Sequence, residues 1–469
     1  MWLALLFVQR GNCDENEHAH IAWLMGELGQ RPLVDFFQHH MPLLWDVLKI
    51  YFLVGLDGPE VLYFGHLLVV LSMLTLVLGF WALARSLATR PVNAEYATAV
   101  ATTSFVGWCL METYAVQLRP ESLAAAAWVL SCVAWRWGDQ RADARWCLAS
   151  GALFSLAFLF TPRVVILSGW LIVLSERRIH ARQVLVWLGG AGGTALLYLL
   201  LSGISPGYLS FAISYSALLQ KVGSFDPGPS LARLPWIKMA LLQTGLWICV
   251  ARVTSPLLRS KFWIHLGYLA FTVVAGLVSC WPHVYMQNFI VSYLSMAMSL
   301  LVLASRADWD ACRVSERLAS LVPAVLAVAV VVEIASCLER GTIVSDVRFR
   351  RALMEGMASS DTVLLAYPLH PIVVRDASYY GPWLFDSPNR MAEGVALVRE
   401  RYGLPPCNYL EDLKSMAPRL IDSTLPMAVG PAQQVELQAV MASRYVPLDW
   451  TRVYDPTMVV LERQGVRGR

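Results

Sequence analysis

The sequence is poor in charge and lacks the cysteine spacings that mark zinc or redox sites. Charged residues make up 15% of the 469 residues, well below the roughly 25% of an ordinary soluble domain. The nine cysteines form no CxxC pair, and most of them lie in apolar runs where cysteine acts as a small hydrophobic residue. Neither a disulfide framework nor a cysteine-based zinc site is predicted.

Other absences narrow the function class. The net charge of +3 is too small to indicate a nucleic-acid partner. The sequence shows no nucleotide fingerprint, no internal repeat and no low-complexity tract, and the missing repeat disfavours a transporter built from duplicated halves. What is abundant is apolar surface, since 57% of the residues are hydrophobic. The chain is therefore predicted to be a polytopic α-helical membrane protein.

Apolar segments of membrane length recur along the first 340 residues. Each was assigned by its length and its lack of charge. They cover about 61–84, 96–115, 121–137, 146–161, 163–175, 184–202, 237–252, 262–280, 284–304 and 318–337. Met1–Val8 is too short to span and is interpreted as a truncated first span, which brings the expected number to about eleven.

Basic residues fall on one side of these spans. By the positive-inside rule that side is the cytoplasm. The outer loops then include residues 9–60 and the C-terminal tail, on the extracytoplasmic or periplasmic face of the inner (plasma) membrane. The basic residues are Arg85, Arg90, Arg136, Arg141, Arg145, Arg177, Arg178, Arg182, Arg252, Arg259, Lys261, Arg306, Arg313 and Arg317.

The composition changes near residue 340, which divides the chain into a membrane domain (1–339) and a small extracytoplasmic α/β domain (340–469). The predicted elements of the tail are helices over Ser345–Ser359, Asn389–Tyr402 and Gln433–Arg444 and buried strands over Thr362–Ala366 and Met458–Leu461.

Ionisable residues cluster in the first outer loop. They are Asp14, Glu15, Glu17, His18, His20, Asp35, His39 and His40. Such groups are costly beside apolar spans and are functional candidates. Asp14 is a candidate general base that takes a proton from an acceptor hydroxyl. The structural alternative is a capping box with Glu17, followed by an amphipathic helix whose apolar stripe is Ile21, Leu24, Met25 and Leu28.

His39 and His40 suggest a divalent metal ion, with Glu15, Glu17 or His18 as further ligands. Adjacent histidines on a helix or strand point in different directions, so surface histidines at the membrane interface are the simpler interpretation. Both alternatives remain open.

Four more residues at the outer ends of spans are candidate substrate-binding groups. Arg119 and Arg163 either clamp a lipid phosphate or extend to the headgroups. His283 and Tyr285, after Pro282, either donate hydrogen bonds to the same phosphate or belong to an interfacial aromatic belt.

The order of these motifs resembles the start of the C-type integral membrane glycosyltransferases. The likeness is greatest to the dolichyl-phosphate-mannose-protein mannosyltransferase-like group and to bacterial transferases that decorate lipid A and other envelope glycans. It covers residues 1–340. The motifs are Asp14-Glu15 with Glu17, residues 29–32, residues 35–44, Arg119-Pro120-Glu121 and Pro282-His283-Val284-Tyr285.

The resemblance implies a polyprenyl-phosphate-linked sugar as donor and a hydroxyl of a lipid, glycan or protein as acceptor. It carries the role of base onto Asp14, with Glu15 as the next candidate, and the stabilisation of the leaving phosphate onto Arg163 and His283. Attack from the opposite face would transfer a hexosyl or pentosyl group with inversion. Two alternatives of another class stay open, a transporter or flippase of lipid-linked sugars and a non-catalytic membrane scaffold.

Overall fold

The computed structural model describes residues 11, 13–111, 117–175, 178–222, 259–279, 290–306, 328, 331, 332, 335, 342–381, 399–406, 408–425, 431–453 and 459–464. The chain divides into two compact units. The first contains the described parts of His66–Gly203 and Ser224–Arg340, and the second contains those of Arg10–Gly65, Ile204–Gly223 and Gly341–Arg469. The predicted boundary near residue 340 coincides with the start of the last segment of the second unit. That unit also contains most of the predicted first outer loop.

The described residues are mostly helical. The α-helices are α1 (Cys13–Gly26), α2 (Leu43–Leu53), α3 (Val61–Leu87), α4 (Pro91–Met111), α5 (Pro120–Arg141), α6 (Ala144–Phe160), α7 (Trp170–Leu174), α8 (Ala181–Ser202), α9 (Pro206–Val222), α10 (Arg259–Ser279), α11 (Ile290–Ser305), α12 (Ile343–Met354), α13 (Tyr409–Ser415) and α14 (Pro431–Arg444). The strands are β1 (Thr362–Leu364), β2 (Arg375–Asp376), β3 (Leu420–Asp422), β4 (Tyr445–Pro447) and β5 (Val460–Arg463), and 3₁₀ helices cover Pro162–Gly169 and Asp449–Val453.

Most predicted spans that fall on described residues are helices, with ends that differ by a few residues from the prediction. Among the described residues, α3 and α8 are long and apolar enough to cross a membrane, and shorter apolar helices include α6 and α11. The predicted spans 237–252 and, apart from a few isolated residues, 318–337 lie outside the described residues. The number of eleven spans stays a prediction.

Helices α3 and α8 present wide apolar faces at their surface. On α3 the exposed leucines include Leu71 and Leu78, and on α8 they include Leu185 and Leu200, which is 73% exposed. Apolar patches of this extent are unfavourable in water and suit contact with lipid tails.

Two helices of the first unit meet at glycines. A Cβ atom at Gly151 of α6 would lie 2.0 Å from the carbonyl oxygen of Trp187, and one at Gly190 of α8 would lie 2.1 Å from that of Leu148. Neither position has room for a side chain. The two helices therefore pack with their backbones in close approach, as small residues permit in membrane proteins.

The predicted break after residue 160 is confirmed. Helix α6 ends at Phe160, Thr161 adopts an extended conformation, and Pro162 begins the 3₁₀ helix that carries Arg163. Proline supplies no backbone N–H, so it suits the first turn of a new helix and ends the previous one.

Arg136 is an exception to the predicted loop arginines. It lies inside α5 and is 1% exposed. Its guanidinium donates hydrogen bonds to the carbonyl oxygens of Leu174 at 3.2 Å and Ser86 at 3.1 Å. A buried cation thus satisfies carbonyl groups near the C-terminal ends of two helices, a position that favours positive charge.

The second unit contains a five-stranded sheet in the order β2-β1-β3-β5-β4. Strand β1 is parallel to β2 and β3, and β5 is antiparallel to β3 and β4. Phe349 and Leu353, one helical turn apart on α12, belong to the same buried apolar cluster as Val363 and Val460 of the sheet.

The predicted strands at residues 362 and 458 and the helices at 345 and 433 are confirmed with shifted ends. Strands β2, β3 and β4 and helix α13 were not predicted. The predicted helix Asn389–Tyr402 is described only from residue 399, where it is helical.

Candidate active site

Helix α1 is the element on which the candidate site is built. The prediction that it is amphipathic is wrong, because every residue from Glu15 to Leu24 is buried. Four of these buried residues, Glu15, Glu17, His18 and His20, are ionisable. Burying such groups is costly unless they are hydrogen-bonded or paired, so the contacts of each group determine what the helix can do.

Asp14 lies in the first turn of α1, one residue inside the helix, and not at the cap as the structural alternative predicted. Its side chain is half-buried, whereas Glu15 is fully buried. The Cys13 thiol donates to Asp14 Oδ1 at 3.3 Å. The N-terminal end of a helix favours negative charge, so the local field supports an ionised Asp14.

Polar oxygens converge on Gly11, just before α1. The backbone N–H of Gly11 donates to Asp346 Oδ2 at 2.7 Å. A Cβ atom at Gly11 would lie 3.2 Å from Asp346 Oδ2, 3.4 Å from Glu15 Oε2 and 3.8 Å from Asn16 Oδ1. Asp346 lies in the first turn of α12, so this contact joins the start of the first loop to the C-terminal segment within one unit.

Glu17 is held by Gln38. The Gln38 amide N–H donates to Glu17 Oε1 at 2.6 Å, and its oxygen accepts from the backbone N–H groups of His39 at 2.6 Å and His40 at 3.3 Å. His40 Nε2 lies 3.9 Å from the same Glu17 oxygen. A single buried amide thus fixes both the loop of the two histidines and the carboxylate that faces them.

His18 has a defined tautomer. The indole N–H of Trp45, which can only donate, bonds to His18 Nδ1 at 3.0 Å. In neutral His18 the proton is therefore on Nε2. Binding a metal ion through Nδ1 would break the hydrogen bond from Trp45. Binding through Nε2 would move the ring proton to Nδ1, where it would meet the same indole N–H. Both weaken the predicted role of His18 as a metal ligand.

The two adjacent histidines do not point apart as predicted. The rings of His39 and His40 lie 4.1 Å apart, and His39 also packs against Tyr215 at 4.6 Å. The segment is irregular, so the helix or strand geometry behind the prediction does not apply. Burial, together with His40 and His18, holds the pKa of His39 well below its usual value, so His39 is neutral.

Within the described residues, one imidazole nitrogen each of His20 and His370 and a carboxylate oxygen of Asp376 lie within 4.8 Å of one another. His20 Nε2 is 2.8 Å from Asp376 Oδ2, and His370 Nε2 is 3.2 Å from Asp376 Oδ1. Both histidines are fully buried. These three residues were not predicted to meet, because His370 and Asp376 are some 350 residues away from His20 along the chain, and an ion at His39 and His40 stays a prediction.

The other candidate residues fall in the first unit or outside the described residues. Arg119 directly precedes α5 in an extended conformation, and Arg163 lies in the 3₁₀ helix; both are half-buried. Their roles at a phosphate stay predictions. His283 and Tyr285 lie outside the described residues.

Solved structures that resemble the chain include the following three. Two are ArnT from Cupriavidus metallidurans, bound to undecaprenyl phosphate (TM-score 0.47) and in the apo state (TM-score 0.48); each has 14% identity and covers 100% of this chain and 97% of that protein. The third is the apo oligosaccharyltransferase of Archaeoglobus fulgidus, with a TM-score of 0.50 and 11% identity over 94% of this chain and 69% of that protein.

No protein-family model and no curated protein matches the chain. The likeness to the archaeal enzyme establishes the fold. It shows that this chain and the archaeal oligosaccharyltransferase share a fold.

Proposed function

We propose that the chain is a membrane glycosyltransferase that moves a sugar from a polyprenyl-phosphate donor to a hydroxyl of a lipid, glycan or protein. The observation that carries the proposal is the half-buried Asp14 at the start of α1, in a chain with the C-type fold. Of the two carboxylates in the first turn, Asp14 is the more exposed, which favours it over Glu15 as the group that meets an acceptor.

In the proposed reaction the Asp14 carboxylate takes the proton of the acceptor hydroxyl. The acceptor oxygen forms a bond to the anomeric carbon, and the bond from that carbon to the phosphate oxygen breaks, so that polyprenyl phosphate leaves with the bonding pair. Attack on the face opposite the leaving group inverts the anomeric centre. Most of the rate enhancement in such a site comes from placing both substrates and from fixed positive charge of the protein beside the leaving phosphate.

The leaving phosphate needs donors and cations. We assign this role to Arg119, Arg163, His283 and Tyr285, and to His40, whose imidazole is 38% exposed beside Glu17. The pKa of His39 is held well below its usual value, so this half-buried ring is neutral, shapes the loop and does not supply charge. A divalent metal ion remains an alternative source of positive charge. We place the reaction on the extracytoplasmic face of the inner membrane, with residues 340–469 on the same side.

The test uses purified protein in nanodiscs and a panel of labelled polyprenyl-phosphate sugars. Asp14→Asn keeps the size and loses the base, so transfer and donor hydrolysis are expected to fall by about a hundredfold or more. The control is Asp35→Asn in the same loop, where the carboxylate pairs with the exposed Arg31 and the ion pair is worth little. Turnover like that of the wild type in Asp14→Asn would show that Asp14 is not the base. In a separate assay with the protein in vesicles, movement of intact donor across the membrane without transfer would favour a flippase.

A further inference from the structure

His20, Asp376 and His370 form a buried triad that the proposed reaction does not use. His20 lies in the middle of α1, His370 lies shortly before β2, and Asp376 is the last residue of β2. The side chain of Asp376 is 10% exposed and the two imidazoles are not exposed at all. All three belong to the same compact unit, so the triad joins the first loop to the C-terminal segment.

The tautomer of His370 follows from its neighbours. The backbone N–H of Ile372 donates to His370 Nδ1 at 3.0 Å, so this nitrogen carries no proton. The proton of the neutral ring is then on Nε2, which donates to Asp376 Oδ1 at 3.2 Å. His370 is satisfied as a neutral imidazole.

His20 has the opposite arrangement. Its Nδ1 lies 2.5 Å from the carbonyl oxygen of Ile372, which can only accept, so Nδ1 carries a proton. Neutral His20 would then direct a lone pair of Nε2 at Asp376 Oδ2, 2.8 Å away. Two acceptors at this distance require a cation between them, either a proton or a metal ion.

The hydrogen bonds of the triad favour a proton over a metal ion between His20 and Asp376. A metal ion held by all three residues would need a lone pair on His370 Nε2, which forces the ring proton onto Nδ1, against the N–H of Ile372. One proton on His20 Nε2 instead satisfies every polar atom of the two rings that faces Asp376 or Ile372. The triad is then an imidazolium, a carboxylate and a neutral imidazole, with no net charge.

Ile372 shows what the triad holds in place. Its φ of 76° lies in the left-handed region, which a β-branched residue rarely adopts. Its N–H is bound by His370 and its carbonyl by His20, so the two histidines hold this conformation from both sides. Backbone strain of this kind persists where the surroundings determine it and is concentrated at functional sites.

We infer that His20, Asp376 and His370 are positioning residues, which share one added proton and fasten the helix that carries Asp14 to the segment around Ile372. This rests on the proposed function only for the role of Asp14. Among the described residues, Arg350 and the titratable ring of Tyr367 face the triad besides its own members, and the ring of Trp23 stacks on His20. Burial and the charge of His20 lower the pKa of His370 to about 4, in agreement with one charged and one neutral ring.

The first test reads the protons directly. Protein with ¹⁵N-labelled histidine is measured by NMR in nanodiscs at neutral pH. Two protonated ring nitrogens are expected for His20 and the Nε2–H tautomer for His370. A neutral His20, or one equivalent of zinc that stays bound after dialysis with added zinc, would overturn the proposal.

The second test uses two variants at Asp376. Asn has an N–H₂ group to donate to neutral His20 Nε2 and an oxygen to accept from His370, so Asp376→Asn retains the contacts without the added proton. Asp376→Ala leaves buried polar groups unpaired and should speed amide exchange of residues 13–26 by about a hundredfold or more. In Asp376→Asn the change should stay within about threefold. Equal rates of amide exchange in the two variants would contradict the proposal. If Asp376→Ala does not fold, Asp376→Asn is compared with the wild type alone, and a change in exchange rate well beyond about threefold would contradict the proposal.

A kinetic readout separates positioning from stability. With the donor that the transfer assay identifies, Asp376→Ala should lower kcat more than it raises KM, and Asp376→Asn should recover most of kcat. Unchanged kcat in folded Asp376→Ala refutes the positioning role. Should no donor be turned over, the proposed function fails, while the NMR and exchange results still decide whether the triad exists.

Discussion

Acidification should destabilise the second unit through His370. Its pKa is lowered from 6.5 to about 4, first by burial and then by the charge of His20. A base with a lowered folded pKa binds fewer protons when folded than when unfolded. Stability is therefore lost as the pH falls from 6.5 towards 4, and His370 adds no further loss below that range.

The size of the loss follows from the two pKa values. Their difference corresponds to about 3 kcal/mol of unfolding free energy. For a unit of roughly 200 residues, this shifts Tm by about 6–12 °C. The pKa of Asp376 is also lowered: burial opposes the shift, but His20 and His370 outweigh it. The loss of stability on protonation of Asp376 therefore adds to the loss caused by His370 only at pH values below the usual pKa of a carboxyl group.

The assay is thermal unfolding in nanodiscs at pH 7, 6, 5 and 4.5 for the wild type and His370→Gln. Glutamine offers an N–H to Asp376 and an oxygen to the N–H of Ile372, and it does not titrate. Between pH 7 and 4.5 the wild type should lose more Tm than the variant, by most of the shift given above. The same pH dependence in both proteins would refute the assignment, because other acid-sensitive groups such as His39 remain in both.

Two further changes test the packing. Gly190→Ala places a methyl group against the backbone of Leu148 and should destabilise the first unit by about 1–3 kcal/mol. The control is Gly189→Ala, whose methyl group meets no atom within 4 Å and should be neutral or stabilising. Equal melting temperatures of the two variants would contradict the close approach of α6 and α8. Gln38→Ala removes the donor to Glu17 and the acceptor for two N–H groups, so it should lower stability by about 1–3 kcal/mol and raise amide exchange at residues 36–41. Arg31→Ala, whose side chain is 66% exposed, is the control, and a loss as large as that of Gln38→Ala would indicate a general effect of substitutions in this loop.

Much of the fold could be predicted from the sequence because it depends on the local pattern of apolar residues and prolines. Apolar runs of membrane length predicted helices such as α3 and α8, and Pro162 predicted the break after α6. In the tail, the buried strand at Thr362 stood out from its flanking turns. Strand β1 is equally short, but it lies in the apolar run of residues 363–366. Strands β2, β3 and β4 were missed because each has only two or three residues, lies in no such run, and is held by its neighbours in the sheet.

The sequence alone predicted a helical membrane protein and determined that its ionisable groups gather near its start, because hydropathy and charge are properties of single residues and short windows. Only the tertiary structure decided which of those groups have partners. Glu17 meets Gln38, His18 meets Trp45, and His20 meets Asp376 and His370 across more than 340 residues. The tautomers, the buried charge and the bound backbone of Ile372 all follow from these contacts. No spacing along the chain encodes them, since each depends on which distant segments the folded core brings together.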